Sequence, residues 1–178
     1  MFEEVLTFWF KEVEPKQWWI ADPAFDAIVK QRFLPTLQQA AAGELHGWRR
    51  TPHGRLAEII VLDQFSRCIH RGTAQAFAQD PMALVLSQEA VGAGALGTLD
   101  ANERSFLLMP FMHSESKLVH AQAESLFKEH TPSATYQFEL RHKVIIDRFG
   151  RYPHRNAMLG RISTEDEIEF LKQPGSGF

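Results

Sequence analysis

The sequence predicts an all-α fold, built from stacked antiparallel pairs of helices, and three observations lead to this. Apolar residues recur at spacings of three and four along nearly every segment. Helix start signals, in which a cap residue is followed by Pro or by an acid three positions on, precede most of these segments. We find no alternating run bounded by hairpin turns, so strands are not expected. About seven to nine helices joined by short loops account for the chain.

The first half of the chain contains two long helical patterns. DPAFDAIVKQRFLPTLQQAAAG begins with an Asp-Pro pair, in which Asp supplies a cap oxygen and Pro suits the first helical turn. We expect Pro35 to kink or break this helix and Gly43 to end it. GRLAEIIVLDQFSRCIHRG is apolar nearly all round in its middle, which predicts a central, buried helix.

The second half continues the helical pattern to the end of the chain. DPMALVLSQEAVGAG repeats the Asp-Pro start, and Asp100 with Glu103 forms a capping-box pair before FLLMPF. SESKLVHAQAESLFKEH ends at a Thr-Pro pair, and SATYQFELRHKVIIDRFG is closed by Gly150. Thr164 with Glu167 starts the last helix, STEDEIEFLKQ.

Length and composition indicate one soluble domain. The chain has 178 residues, of which 44% are hydrophobic and 23% charged, and we assign 1–172 to the domain and 173–178 to a flexible tail. A formal charge of −3 argues against nucleic acid as a partner. Cys68, the single cysteine, suits a reducing cytoplasm. Because no apolar run is long enough for a bilayer and the first residues are acidic, we expect a cytoplasmic protein with no membrane partner; a homo-oligomer is compatible with the sequence.

Asp63 interrupts the apolar stripe of the central helix. Arg67 follows one turn later on the same face, and an Asp-to-Arg spacing of i, i+4 permits an ion pair. The pair has two interpretations, an internal salt bridge that holds the fold together or part of the wall of a binding pocket.

Three further polar residues have the same ambiguity. His142 lies on an apolar face with Ile145 and Ile146. It is either a hydrogen-bonded histidine of the core or a residue that binds a ligand or acts as an acid–base group. His113 and Glu115 follow Pro110, where a helix break is expected. Glu115 is then either an acid in the first turn of a new helix or, with His113, part of a cavity wall.

Metal binding and thiol catalysis receive little support. The chain has eight histidines but no HExxH, CxxC or Asp-rich calcium loop, so we predict no metal site and no cofactor. Cys68 near His70 is more typical of a buried filler than of a nucleophile.

The segment RFGRYPHRNAMLGRIST is basic and contains no acid. Tyr152-Pro153 favours an extended backbone, so its guanidiniums should project from a turn, where they can bind carboxylate or phosphate. They either clamp the protein's own carboxylates or hold a small anion or an acidic peptide. The basic and amide side chains of this segment are those of Arg148, Arg151, His154, Arg155, Asn156 and Arg161.

These motifs carry a resemblance to a known family. FWF, DPAFD, LDQFSR with HRGTAQAFAQD, MPFMHSE and IIDRFGRYPHRNAMLGRIST together resemble the bacterial domain-of-unknown-function family 924, from about Val5 to about Leu171. The resemblance implies a tetratricopeptide-like helical fold and no established activity. The matching positions are Asp63, Gln64, Phe65, Arg67, Arg71, His113, Ser114, Glu115, His142, Arg151, Pro153, His154, Arg155 and Asn156.

The chain departs from the usual Gln-Phe-Pro-Arg-Asn of that family at two positions. Ser66 replaces the proline, which should make the helix more regular, and Cys68 replaces the asparagine. A thiol nucleophile shared with the family is therefore not expected.

The leading hypothesis is a polar, positively biased cavity that binds a small anionic ligand or an acidic peptide end. Its proposed walls are Asp63, Arg67, Arg71, His113, Glu115, His142, Arg151, His154, Arg155 and Asn156. One alternative is a hydrolase or lyase in which His142 or His113 acts as general base and Glu115 orients it. Another is a tetratricopeptide-like protein-interaction module with an open apolar groove.

Overall fold

The computed structural model describes residues 1–177, and over that range every regular element is helical. The α-helices are α1 (Phe2–Thr7), α2 (Pro23–Ala41), α3 (Pro52–Ile60), α4 (Ser66–Ile69), α5 (Asp80–Gly92), α6 (Ala101–His113), α7 (Lys117–His130), α8 (Ser133–Phe149) and α9 (Glu165–Leu171). Short 3₁₀ turns occur at Pro15–Trp19, His46–Arg50, Ala74–Phe77, Ala95–Gly97 and Pro153–Arg155, and π-helical turns at Phe8–Glu12 and Val61–Phe65. The predicted all-α class is confirmed.

The predicted start signals are confirmed at three helices. The Asp22 carboxylate accepts a hydrogen bond from the backbone N–H of Ala24, which caps α2. Asp100 and Thr164 each form the predicted capping box. At α5 the detail differs, because Gln79 holds the cap position and Asp80 is already the first helical residue.

Two prolines, Pro35 and Pro110, lie inside helices that continue past them. Helix α2 continues through Pro35 to Ala41, so of the predicted kink or break at Pro35 the break is wrong. Helix α6 likewise continues through Pro110 to His113, and the chain turns extended only at Ser114. Ser116 caps α7. His113 therefore lies on the last turn of α6, and Glu115 lies in the linker between α6 and α7, outside both helices.

The central helix is a composite of α3, a π-helical turn and α4. Its middle is buried on all sides, as the apolar pattern predicted. The Phe65 ring contacts those of Phe8, Trp9 and Phe33. The π-helical turn contains Asp63, and such turns are frequent at functional sites.

Helices α5 to α8 pack against their neighbours in sequence. Helix α7 packs against both α6 and α8, and α5 packs against α6 and α3. This contact pattern agrees with helix pairs, whereas the tetratricopeptide-like arrangement stays a prediction.

The segment after α9 lies against α9 and beside α8, whereas the flexible tail at 173–178 stays a prediction. Ser176 is buried and donates a hydrogen bond to the Leu171 carbonyl, and Gly175 and Gly177 line a groove beside α8. Phe178 lies outside the described residues. Among the described helices, none combines the length and apolar character that a bilayer crossing requires.

Candidate functional site

A cleft of about 320 Å³ opens where the end of α6, the start of α5 and the turn at Pro153–Arg155 meet. Its size is at the lower end of the range for ligand pockets, about 300–1,000 Å³. The polar side chains that line it are those of Asp80, His113, Ser114, Glu115 and Arg155, and the apolar ones are those of Phe77, Pro81, Leu84, Pro110 and Leu159.

Asp63 lies behind this cleft, only 1% exposed, and its carboxylate is fully engaged. Oδ1 is 2.7 Å from His113 Nδ1 and 3.2 Å from Arg67 Nη1, and Oδ2 accepts a hydrogen bond from Gln64 Nε2. Burial alone would raise the pKa of Asp63, but the Arg67 guanidinium and the His113 contact outweigh it and hold the pKa well below its ordinary value. Asp63 is therefore ionised, which agrees with its interpretation as part of an internal salt bridge.

The ionised Asp63 carboxylate determines the protonation of His113. A carboxylate only accepts hydrogen bonds, so His113 Nδ1 must carry the proton that lies between them. Burial and the nearby Arg67 charge lower the pKa of His113 in spite of Asp63, which favours the neutral ring. Nε2 is then an acceptor, and it makes no hydrogen bond to any described residue. The His113 side chain is 14% exposed and lines the cleft.

A chain of charges connects His113 to Arg155 on the other side of the cleft. Arg67 lies next to Asp63 and donates two hydrogen bonds to Asp80, of 3.0 and 3.1 Å. Arg155 Nη1 donates to Asp80 Oδ2 at 3.2 Å. Arg67 and Arg155 thus share Asp80, and the carboxylate has no oxygen left without a cation.

Arg155 is the cation of the cleft whose hydrogen-bonding capacity is least used. Its side chain is 6% exposed, and its guanidinium lies 4.6 Å from the ring centre of Phe77 and 4.7 Å from that of Tyr152. Nε is buried without a hydrogen-bond partner, and Nη2 makes no hydrogen bond to any residue in the described range. The two rings fix the plane of the guanidinium while leaving donors unused.

Glu115 is held by a different arginine. Arg161 donates to its two oxygens at 2.6 and 2.9 Å, and the backbone N–H of Tyr152 donates to Oε1. Burial would raise the pKa of Glu115, but the hydrogen bonds from Arg161 and Tyr152 outweigh this and keep the pKa below its ordinary value. Glu115 therefore ties the α6–α7 linker to the basic segment and does not orient His113.

Other residues predicted for the cavity are engaged elsewhere. Arg71 forms a bidentate pair with Asp26 of α2. Arg151 donates two hydrogen bonds to Glu167 and one to the Ile162 carbonyl. None of these side chains lines the cleft.

Asn156 and His154 also lie away from the cleft wall. The Asn156 amide donates to Ser163 and Glu167 and accepts from Arg161, so it supports the loop before α9. His154 is partly buried, and burial lowers its pKa to about 4.

His142 does not share the cleft with His113. It is buried on the inner face of α8, as its spacing predicted, and its Nδ1 is 2.7 Å from the Phe138 carbonyl. It lines a separate groove together with Phe138, Val144 and Gly175. The expectation of one hollow that contains Asp63, Glu115, His142 and Arg155 is therefore corrected, because His142 faces another part of the surface.

Sequence reasoning missed a buried pair behind the α6–α7 linker. His120 Nδ1 is 2.7 Å from Glu139 Oε1, both side chains are fully buried, and burial raises the pKa of Glu139. The signal was present, because Glu139 lies three residues before His142 on the same inward face. Asp80 was also missed as a site residue, and no local pattern connects it to Arg67.

The chemistry available in the cleft is hydrogen bonding and proton transfer. Burial raises the pKa of the Cys68 thiol to about 12, which is unfavourable for a nucleophile. In the described part of the chain, no three His, Cys, Asp or Glu side chains are grouped so that they could hold a metal ion.

Comparison with known proteins places this chain among bacterial proteins of unknown function. Residues 5–175 match the family described as "Bacterial protein of unknown function (DUF924)". A solved structure of a protein of unknown function from Agrobacterium tumefaciens is 34% identical, with a TM-score of 0.91 and a match that covers 96% of each chain. No curated protein matches the sequence. Because the family match spans nearly the whole chain and the solved relative has the same fold, the chain belongs to the bacterial family DUF924.

Proposed function

We propose that the cleft binds a small ligand that carries a carboxylate or phosphate group, and that Arg155 holds this anion. The observation that carries the proposal is the unused capacity of Arg155: a guanidinium held between two rings, with one donor bonded to Asp80 and Nη2 without a partner in the described chain.

The charges around the cleft favour an anion over a cation. Asp80 is occupied by Arg67 and Arg155, and Glu115 by Arg161 and the Tyr152 backbone. A ligand ammonium would have to displace one of these cations. An anionic ligand needs no such exchange, because it meets donors that are not in use.

The rest of the wall suits a small carbon skeleton. Phe77, Leu84 and Leu159 present apolar surface, and Pro81 and Pro110 add rigid faces. An acidic peptide end has the same anionic group, but the volume of about 320 Å³ accommodates only its last residues.

Binding can be tested by calorimetric titration with phosphate, acetate and succinate. We expect millimolar affinity or better in the wild type and at least about a tenfold loss in Arg155→Gln, because a charge-assisted hydrogen bond contributes about 1.5–3 kcal/mol. Arg151→Gln is the matched control, since Arg151 belongs to the same segment but bonds Glu167 outside the cleft. Absence of heat with all three anions, or equal loss in both variants, would contradict the proposal.

A second candidate function is acid–base catalysis in the same cleft. The specific observation is the Asp63–His113 pair, in which a buried carboxylate orients an imidazole whose Nε2 remains available. In this version of the enzyme hypothesis Asp63 replaces Glu115 as the orienting acid, and His142 has no role because it lies in another groove.

Long-range ¹H–¹⁵N spectra of histidine-labelled protein test this candidate. A base requires a proton on Nδ1 and none on Nε2 at neutral pH, and we expect that pattern for His113. The His113→Gln spectrum identifies the His113 signals. Protonation of both nitrogens at pH 7, or a proton on Nε2 alone, would exclude His113 as the base.

A further inference from the structure

Two side chains in the cleft offer complementary, unused hydrogen-bonding groups. Arg155 offers donors, and His113 Nε2 offers an acceptor, because Nδ1 carries the proton directed at Asp63. The two are parts of one network through Asp63, Arg67 and Asp80, so their positions are set together.

The identity of the acceptor follows from Asp63. If His113 were free to exchange tautomers, Nε2 would serve equally as donor or acceptor. The ionised Asp63, which also receives Arg67 and Gln64, removes that choice because it cannot donate a proton to Nδ1. A ligand in the cleft can therefore accept hydrogen bonds from the Arg155 guanidinium and donate one to His113 Nε2.

We infer that the cleft recognises an anion whose short carbon skeleton also carries a hydroxyl group, that is, a small hydroxy acid or a hydroxylated phosphate ester. The anionic oxygens accept from Arg155, and the ligand hydroxyl donates to His113 Nε2. The apolar walls formed by Leu84 and Leu159 cover the carbon atoms between the two groups. This inference rests on the proposed function, because Arg155 is taken to hold the anion.

The hydroxyl matters because its absence leaves an acceptor unpaired. A site built to bond a ligand hydroxyl discriminates against the analogue without it, since the protein group is then desolvated with no partner. The His113 side chain is 14% exposed to solvent, so the expected preference is moderate, about threefold to tenfold.

The experiment compares matched pairs of ligands by NMR shift titration of the full chain. The pairs are lactate with propionate, 3-hydroxybutyrate with butyrate, and glycerol 3-phosphate with propyl phosphate; the last pair separates phosphates from carboxylates. In the wild type, the hydroxylated member of at least one pair should bind about threefold to tenfold more tightly.

One variant assigns the preference to His113. His113→Asn places an amide N–H near the position of Nδ1, which preserves the bond to Asp63, and has no atom where Nε2 was. We expect it to bind both members of a pair equally. His53→Asn is the control, because His53 lies near Glu103 and not in the cleft.

Each outcome has a separate meaning. Equal binding of both members of all pairs by the wild type overturns the inference and leaves the proposed anion site intact. A hydroxyl preference that survives in His113→Asn overturns the assignment to His113. No binding of any anion overturns the proposed function, and this inference with it.

Discussion

The basic segment contributes arginines to two regions that differ in how completely their hydrogen bonds are satisfied. In the first, which we name the C-terminal clamp, Arg151, Asn156 and Thr164 surround Glu167. Both Glu167 oxygens accept hydrogen bonds there, and Arg151 uses Nε and Nη2. In the second, the cleft, Arg155 uses a single donor.

This difference shows that the residue type does not decide whether a side chain stabilises the fold or remains available to bind a ligand. Arg151 and Arg155 are four residues apart in the same basic segment, yet one is bonded to an acid of α9 and the other lies against two rings. What decides is the number of acceptors that the fold places beside each guanidinium. The clamp has enough of them, whereas in the cleft Asp80 is shared between Arg67 and Arg155.

The largest expected effect is at Asp63, which lies behind the cleft. Asp63→Ala removes the carboxylate between Arg67 and His113 and leaves a buried guanidinium with one acid fewer. We expect the free energy of unfolding to fall by about 3–5 kcal/mol, as for other broken buried ion pairs. Urea denaturation with both intrinsic fluorescence and circular dichroism measures this value.

The control for this change is Asp166→Ala. Asp166 pairs with Arg148 in the same fold, but its side chain is 75% exposed. A loss below about 1 kcal/mol for Asp63→Ala, or equal losses for both variants, would show that the Asp63 network does not hold the cleft together.

The second largest effect is expected from a substitution in the C-terminal clamp, and its size depends on pH. Glu167→Gln keeps the shape of the side chain but removes its charge, so the free energy of unfolding should fall by about 1.5–3 kcal/mol at neutral pH. Hydrogen bonds from Arg151 lower the pKa of Glu167 to about 2, from an ordinary value of 4.5. Because the folded pKa is the lower one, the charged clamp stabilises the protein above pH 4.5 and loses this stabilisation as the pH falls towards 2.

Denaturant titrations from pH 7 down to pH 3 test this dependence. The difference between wild type and Glu167→Gln should be constant above pH 5 and shrink below it. If the stability difference between the two proteins stays constant down to pH 3, the pKa of Glu167 is not lowered as proposed, and Glu167 is not the carboxylate held by the clamp.

Contacts between residues close together in the sequence could be predicted, whereas contacts between distant residues could not. The Asp63–Arg67 contact and the caps at Asp22, Asp100 and Thr164 are local, and spacing predicted all of them. Local spacing also placed His142 on an inward face.

Long-range partners could not be predicted, because they depend on how the helices are packed. Asp80 lies 75 residues from Arg155, and Glu115 lies 46 residues from Arg161. Sequence patterns show that Glu115 and Arg161 need partners but not which ones they choose. Pro110 was misleading for a local reason: α6 continues through it, so His113 is presented from a helix end and not from a loop.

The third largest effect is expected at Tyr152, which connects the cleft with the basic segment. Tyr152 donates its hydroxyl to the Met112 carbonyl, while its ring stacks on Arg155 and its backbone bonds Glu115. Tyr152→Phe keeps the ring and removes only the hydroxyl, so the free energy of unfolding should fall by about 1–2 kcal/mol. Anion affinity should change less than in Arg155→Gln, since the stacking is preserved; a loss of affinity as large as that of Arg155→Gln would show that the hydroxyl itself shapes the cleft.

The smallest effect is expected at Arg148, which begins the basic segment and belongs to neither region. Its guanidinium lies 3.2 Å from Asp166, but the two side chains are 48% and 75% exposed, so water screens the pair. Arg148→Ala should change the free energy of unfolding by less than about 0.5 kcal/mol and leave anion titrations unchanged. The arginines of this segment would then differ through their surroundings alone, from a solvated pair at Arg148 to a saturated clamp at Arg151 and a guanidinium with one bonded donor at Arg155. If Arg148→Ala instead weakened anion binding as much as Arg155→Gln, binding would follow from the net charge of the segment, and the distinction between clamp and cleft would fail.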